Sequence, residues 1–245
     1  MKVAVCVSGV PESRYNLIKR NNTVQKLKFP NADFYYATWK GREKLFYENF
    51  PDYELHTFDE PVMHYHPYMD IKDFTSPYFE ETKSWVVRTN RIEWTSHHTK
   101  QILIHAMLLD KIKDNYDVII RGRFDNFIWN DKAADFTPFI EDTYNNNRAN
   151  CFAVTNGPKF KEQYESDYEK NPKMGEWPLD QLIIHPRNMI NLSDILQLHK
   201  EKKLRAAEYG WHQVLSEPYG NNHRNWHGWV NHDKNVPYQF IKEAE

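Results

Sequence analysis

The chain has 245 residues, 40% of them hydrophobic and 15% aromatic, with 32 basic and 34 acidic side chains for a formal net charge of −2. That length fills one large core, and so near-neutral a balance excludes a surface dominated by attraction to polyanions. The longest apolar stretch, residues 101–109, falls well short of the roughly 20 residues that cross a bilayer, and the amino terminus lacks a signal-peptide core, so a cytoplasmic protein is expected.

The aromatics (8 Trp, 15 Tyr and 14 Phe) can fill a core or form half-wet walls on which sugars and bases stack. With only 8 Gly there is little scope for flexible linkers, and one domain over 1–245 is expected. Its two functional halves would be 1–130 and 131–245. Cys6 and Cys151 sit in apolar, strand-like runs and read as reduced core thiols.

Residues 2–7 form a β-branched apolar run, the pattern of a strand buried on both faces, closed by the turn signal Ser8-Gly9-Val10-Pro11. Residues 32–39 and 54–58 read as further strands, with helical composition between them over 42–50. Residues 59–84, with Pro61, Pro67 and Pro77, suggest an irregular excursion; its His64-Tyr65-His66 could be an acceptor loop or an aromatic turn. Thr95 or Ser96 can cap a helix to about Lys113 whose buried stripe is Ile102, Leu103, Ala106, Leu109 and Ile112, with His105 a core histidine. The clearest strand runs from Asp117 to Asp125.

Residues 136–143 read as a short connection and 151–155 as a buried strand. Residues 179–185 begin a helix or a strand, and 191–205 form a helix ending in a basic run, 200–205, most often a solvated face. A tail dense in Trp and His follows. Strands alternating with helices indicate a mostly parallel α/β sheet flanked by helices, whose ligands gather at the carboxyl ends of the strands.

On the long strand, alternation places Arg121, Arg123 and Asp125 on one face. Buried charge is costly unless paired or liganded. The trio suits a phosphate anion with a divalent cation, and equally an internal Arg–Asp ladder. No P-loop, GxGxxG, GxSxG or Cys–His nucleophile pair is present.

The run SHHTKQILIHAMLLDKI followed by NYDVIIRGRFDNFIW resembles glycosyltransferase-like proteins of the GT-A fold found in bacterial polysaccharide clusters and tailed phages. KVAVCVSGVPESR, ADFYYATW and EWPLDQLIIHPRNMINL resemble the family's opening strand, second strand and acceptor-side segment. The resemblance implies a hexosyl- or pentosyltransferase whose donor is a nucleoside-diphosphate sugar, with a UDP-sugar the first choice, and whose metal is Mn²⁺ or Mg²⁺. By it, Ser8, Gly9 and Arg14 line the nucleotide pocket and Arg121 or Arg123 contacts the donor.

Asp125 would be the metal-binding residue of a DXD-like element that here reads Arg123-Phe124-Asp125. With arginine in the first acidic position, Asn126 or a late histidine, His227 or His232, would complete the shell. Asp180 would be a general base at the acceptor hydroxyl, or the cap of a helix. The histidine-rich tail could also pack on the sheet, close over the sugar or hold zinc. The acceptor would be a glycan or, in a phage protein working in the host cytoplasm, hydroxymethylated DNA reached through a basic groove. A non-catalytic nucleotide-sugar or glycan-binding protein is the alternative of another class.

Overall fold

The computed structural model describes residues 1–11, 26, 29–48, 50, 52–63, 92–112, 115–124, 128–129, 136–153, 182–205, 207–217, 223–224, 226–230 and 239–240. Arg14, Asp125, Asp180 and His232 lie outside them, as do the 64–84 excursion and the side chain of His227.

Eleven strands are present among these residues: β1 (Val3–Ser8), β2 (Asp33–Trp39), β3 (Leu55–Phe58), β4 (Val118–Gly122), β5 (Ile128–Trp129), β6 (Ala149–Ala153), β7 (Leu182–Pro186), β8 (Ser216–Glu217), β9 (His223–Arg224), β10 (Trp226–Val230) and β11 (Gln239–Phe240). The helices are α1 (Lys44–Tyr47), α2 (Ile92–Lys111), α3 (Thr137–Asn146), α4 (Leu192–Lys200) and α5 (Ala207–Leu215). Seven strands form one sheet in the order β10-β6-β7-β4-β1-β2-β3, with β7 antiparallel to both neighbours and every other pairing parallel. This is the mostly parallel, helix-flanked α/β fold that the alternation of elements leads one to expect.

The two faces of the sheet carry different cores because successive strand residues point to opposite sides. On one face Ala4, Cys6, Ala37, Ala149 and Cys151 are small; α2 packs closely on β1 and β2 there, and α4 and α5 pack on α2. The other face is aromatic, with Phe29, Tyr36, Phe46, Phe50, Phe124, Phe136 and Phe152 under α1 and α3. Ring centroids there stand 5.1 Å apart in Phe46–Phe50 and in Phe139–Phe152. Much of the aromatic richness therefore fills a core. Both cysteines are buried thiols outside any disulfide, as expected.

Several boundaries differ from the sequence reading. Strand β4 stops at Gly122, not Asp125, because its partner β1 runs out: Val7 pairs with Gly122, and the chain turns away at Gly9. Helix α2 begins at Ile92, a turn ahead of Thr95, and ends at Lys111; the stripe Ile102, Leu103, Ala106, Leu109 and Ile112 is buried as expected.

Residues 137–146 are a helix, not a connection. Pro138 stands in its first turn, where a missing N–H costs nothing, and Asn147 ends it in the left-handed conformation at φ 48°. The alternative left open for 182–186 resolves to a strand. Helix α4 opens where the Asn191 side chain accepts from the Ser193 N–H at 2.8 Å. It closes at Lys200, short of Arg205, because Lys202 turns left-handed at φ 61° and Lys203 N–H donates back to the Leu198 carbonyl. Part of the Trp- and His-rich tail, 226–230, is the edge strand β10 beside β6.

Candidate functional site

Parallel strands β1, β2, β3 and β4 all deliver their carboxyl ends to one edge of the sheet. At that edge β1 gives way to Gly9, whose φ of 139° side chains rarely adopt; a Cβ there would meet nothing within 4 Å. Conformation, not crowding, calls for glycine, and the turn is pinned by Gly9 N–H donating to the Ala37 carbonyl at 3.2 Å. Ser8, beside it, is buried, and so is Thr38 at the end of β2; neither hydroxyl has a hydrogen-bond partner among the described residues. Arg123 follows the last residue of β4 and is half-buried.

The flank of this edge is tied down by ion pairs. Lys40 Nζ lies 2.8 Å from Asp59 Oδ1, joining the ends of β2 and β3. Lys100 Nζ on α2 lies 2.6 Å from Glu60 Oε1. The second pair is shielded enough to hold α2 against the strand ends, whereas the exposed Lys40–Asp59 pair contributes little.

Arg121 is a different case from Arg123. Its alternate position on β4 aims it at the helix-covered face, level with Cys6, and its exposure is 0%. Its Nη2 donates to Gln101 Oε1 on α2 at 2.8 Å, and its guanidinium lies 4.9 Å from the ring centre of Trp211 on α5. In this structure Arg121 is a core residue that joins two helices to the sheet. Beside it His105 of α2 and His185 of β7 meet at 3.0 Å through their Nε2 atoms. Burial is the main reason both imidazoles protonate less readily than usual, His185 at about 4, and the Arg121 charge adds to the effect.

Of the residues expected at the site, Ser8, Gly9 and Arg123 thus share one edge, while Arg121 is enclosed in the core. His227 belongs to β10, paired with Asn150 of β6 and three strands removed from β4. At the usual strand spacing its backbone is about 14 Å from that of β4. No group of three or more His, Cys, Asp or Glu able to hold a metal occurs among the described residues. Gln101 and His185, which lie near Arg121 in the core, are not singled out by the sequence, whereas Trp211 is one of the tail tryptophans expected to pack on the sheet. The spacing of Gln101 and His105, four apart on one helix, was the available signal.

No helix among the described residues is long and apolar enough to cross a membrane. No family model matches the chain, and no curated protein matches it. Solved structures with a similar chain path include 4-diphosphocytidyl-2C-methyl-D-erythritol synthase from Anaerococcus prevotii, at 5% identity and a TM-score of 0.47 over 94% of this chain and 88% of that one. Core-mannan synthase A from Aspergillus fumigatus, in an Mn/GDP form, is similar at 10% identity and a TM-score of 0.43 over 83% of this chain; the match spans 65% of that enzyme. A glycosyltransferase involved in glycosylation of the major capsid of PBCV-1 is similar at 10% identity and a TM-score of 0.41 over 94% and 82% of the two chains. Likeness at this level concerns the path of the chain and says nothing of activity.

Proposed function

We propose that this chain is a GT-A-type glycosyltransferase, one domain over 1–245, that moves a sugar from a nucleoside-diphosphate sugar to a hydroxyl of a glycan acceptor. The observation that carries the reading is the shared edge where the Ser8–Gly9 turn and Arg123 stand at the ends of the paired parallel strands β1 and β4, with Thr38 near the end of β2 on the other face of the sheet. Open α/β sheets bind nucleotides at such an edge. The sequence resemblance across the same segments supports it independently.

In this reading the open turn at Gly9 leaves the backbone accessible to the nucleotide, with Arg14 beyond it in the chain. Ser8 supplies a hydroxyl already removed from water. Arg123, half-buried at the carboxyl end of β4, suits the donor diphosphate better than enclosed Arg121, which acts by fixing β4 against α2 and α5. Asp125, two residues on, would hold Mn²⁺ or Mg²⁺, which when bound would offset the charge of the departing diphosphate. Strand β10 runs parallel to β4, so its carboxyl end leaves the sheet at the edge where β4 ends. Chain direction therefore favours His232, two residues past Val230, over His227 as a further ligand. Asp180 would take the proton from the acceptor hydroxyl.

The test is thermal unfolding with UDP-, GDP-, CMP- and dTDP-sugars, in Mn²⁺ or in EDTA, for the wild type and Asp125→Ala. A donor held by the native state raises Tm by mass action. The expected result is a Mn²⁺-dependent rise with one nucleotide class that Asp125→Ala abolishes. No rise with any donor overturns the reading. A rise without turnover, even with acceptor glycans supplied, would instead support a non-catalytic binding protein, which arginine at the first acidic position of the DXD-like element favours.

A further inference from the structure

A second concave site lies at the opposite, amino-terminal edge of β4. It is a cavity of about 470 Å³ whose lining includes Tyr116, Asp117, Tyr144, Asn147, Arg187 and Asn188. These come from the entry to β4, the carboxyl end of α3 and the short 3₁₀ turn Arg187–Met189. The size is within the range of small-ligand sites.

Its walls are fixed before any ligand arrives. At the end of α3, Asp142 accepts from Arg148 Nε at 2.8 Å and from Asn150 Nδ2 at 2.9 Å, holding the turn at Asn147 in place. Tyr116 donates its hydroxyl to Asp33 Oδ2 at 2.7 Å and sits 2.7 Å from the Tyr35 hydroxyl. Arg187 Nη2 donates to the Leu109 carbonyl at 2.8 Å. Walls ordered in advance lower the entropy cost of binding.

The chemistry of the lining selects the ligand class. Both charged groups of the lining are already engaged, Asp117 by the Lys2 N–H at 2.7 Å and the terminal amine at 3.7 Å, and Arg187 by the Leu109 carbonyl. An anion such as phosphate or a bare cation therefore gains little here. The remaining features are the ring of Tyr144, 52% exposed, and the exposed amides of Asn147 and Asn188. An aromatic face beside amides and a carboxylate matches a pyranose ring, which has an apolar C–H face and a rim of hydroxyls.

We propose that this cavity is a binding site for a neutral saccharide, separate from the donor edge. The proposal does not rest on glycosyl transfer, since a glycan-binding protein would use the site equally.

The test is ¹H–¹⁵N NMR titration of the full chain with glucose, galactose, mannose, N-acetylglucosamine, lactose and maltose, with uridine as an aromatic-stacking control. At least one saccharide is expected to bind with Kd on the order of 1–10 mM, shifting amides in 116–117, 143–147 and 187–188. Tyr144→Ala and Asn188→Ala, both at exposed positions, should each weaken that binding about fivefold or more. Asp125→Ala should leave it unchanged, and Tyr144→Ala should leave any nucleotide-sugar effect on Tm unchanged, so the two sites stand or fall separately. Absence of saccharide binding, binding indifferent to both variants, or uridine binding equally well would each overturn the proposal.

Discussion

The imidazoles of His105 and His185 form a hydrogen bond whose direction is set by a third group. His185 Nδ1 lies 2.8 Å from the Pro186 carbonyl, which can only accept, so that nitrogen carries the proton. The neutral ring then has a bare Nε2, and His105 Nε2–H donates to it across 3.0 Å. His105 Nδ1 is left as a buried acceptor with no partner among the described residues. Neither imidazole gains from protonation: charging His185 breaks the bond between the rings, and both rings share the core with Arg121.

Acid should therefore loosen this fold well before it reaches the carboxylates. The unfolded imidazoles bind protons below pH 6.5 while the folded ones resist, so the contribution of the pair is intact above 6.5 and declines as pH falls. For His185, held at about 4, the loss amounts to about 2 kcal/mol at pH 5 and levels off near pH 4. Urea unfolding at pH 7.5 and pH 5 measures it, and His185→Leu should shrink the difference between the two. A stability independent of pH over this range would mean that the pair is not buried as described.

Arg121 tests what a charge in the core is for. Arg121→Ala withdraws the donor from Gln101 and the cation from the face of Trp211, and should cost about 3–5 kcal/mol in urea unfolding. Arg121→Met keeps the bulk and removes the charge, and should cost far less, because an apolar replacement for a buried charge is often close to neutral. If Arg121→Met unfolds the protein as severely as Arg121→Ala, the cation itself is indispensable to the core.

A second acid transition belongs to Asp142. Hydrogen bonds from Arg148, above all, hold its carboxyl down at about 2 against burial, with Asn150 and Asn146 adding to them. Its contribution is present above the ordinary carboxylate value of about 4 and is lost as pH falls through 2. Discounted for partial solvent exposure, it is about 1–2 kcal/mol. Asp142→Ala should cost a similar amount at neutral pH, and the loss of stability across that interval should be smaller by about the same amount.

What the sequence conveyed and what it withheld divide along physical lines. The fold class was legible because β1 and β4 are continuous apolar runs and α2 carries an unbroken stripe, signals of local period alone. Helix α3 was missed because only Ile140 and Thr143 are buried in it, too few to set a period against Pro138 and its two closing asparagines, Asn145 and Asn146. The end of β4 could not be read locally, since it depends on where β1 turns away. At the site, alternation could place Arg121 on a face of β4, but Arg123 lies past the end of the strand and Asp125 outside the described residues. Which arginine α2 and α5 would cover was decided by tertiary packing, to which strand pattern is blind.

Gly210 sits in α5, where a glycine ordinarily weakens a helix and alanine would strengthen it by about 1 kcal/mol. Here the sign should reverse. A Cβ at this position would lie 2.4 Å from the Arg205 carbonyl oxygen and 2.4 Å from Cδ1 of Ile102 on α2. The carbonyl is backbone and cannot rotate away, and Ile102 is fully buried with no free volume to enter. The missing side chain is therefore what lets α5 settle on α2 and bring Trp211, the next residue, over Arg121. Gly210→Ala should destabilise by about 1–3 kcal/mol, the usual cost of an overpacked core, instead of stabilising. Its partner variant Ile102→Val, which removes that Cδ1, should recover part of the loss while costing about 1 kcal/mol alone. Urea unfolding of the two single variants and the double variant decides it: strictly additive losses would show that the two helices do not meet at this point.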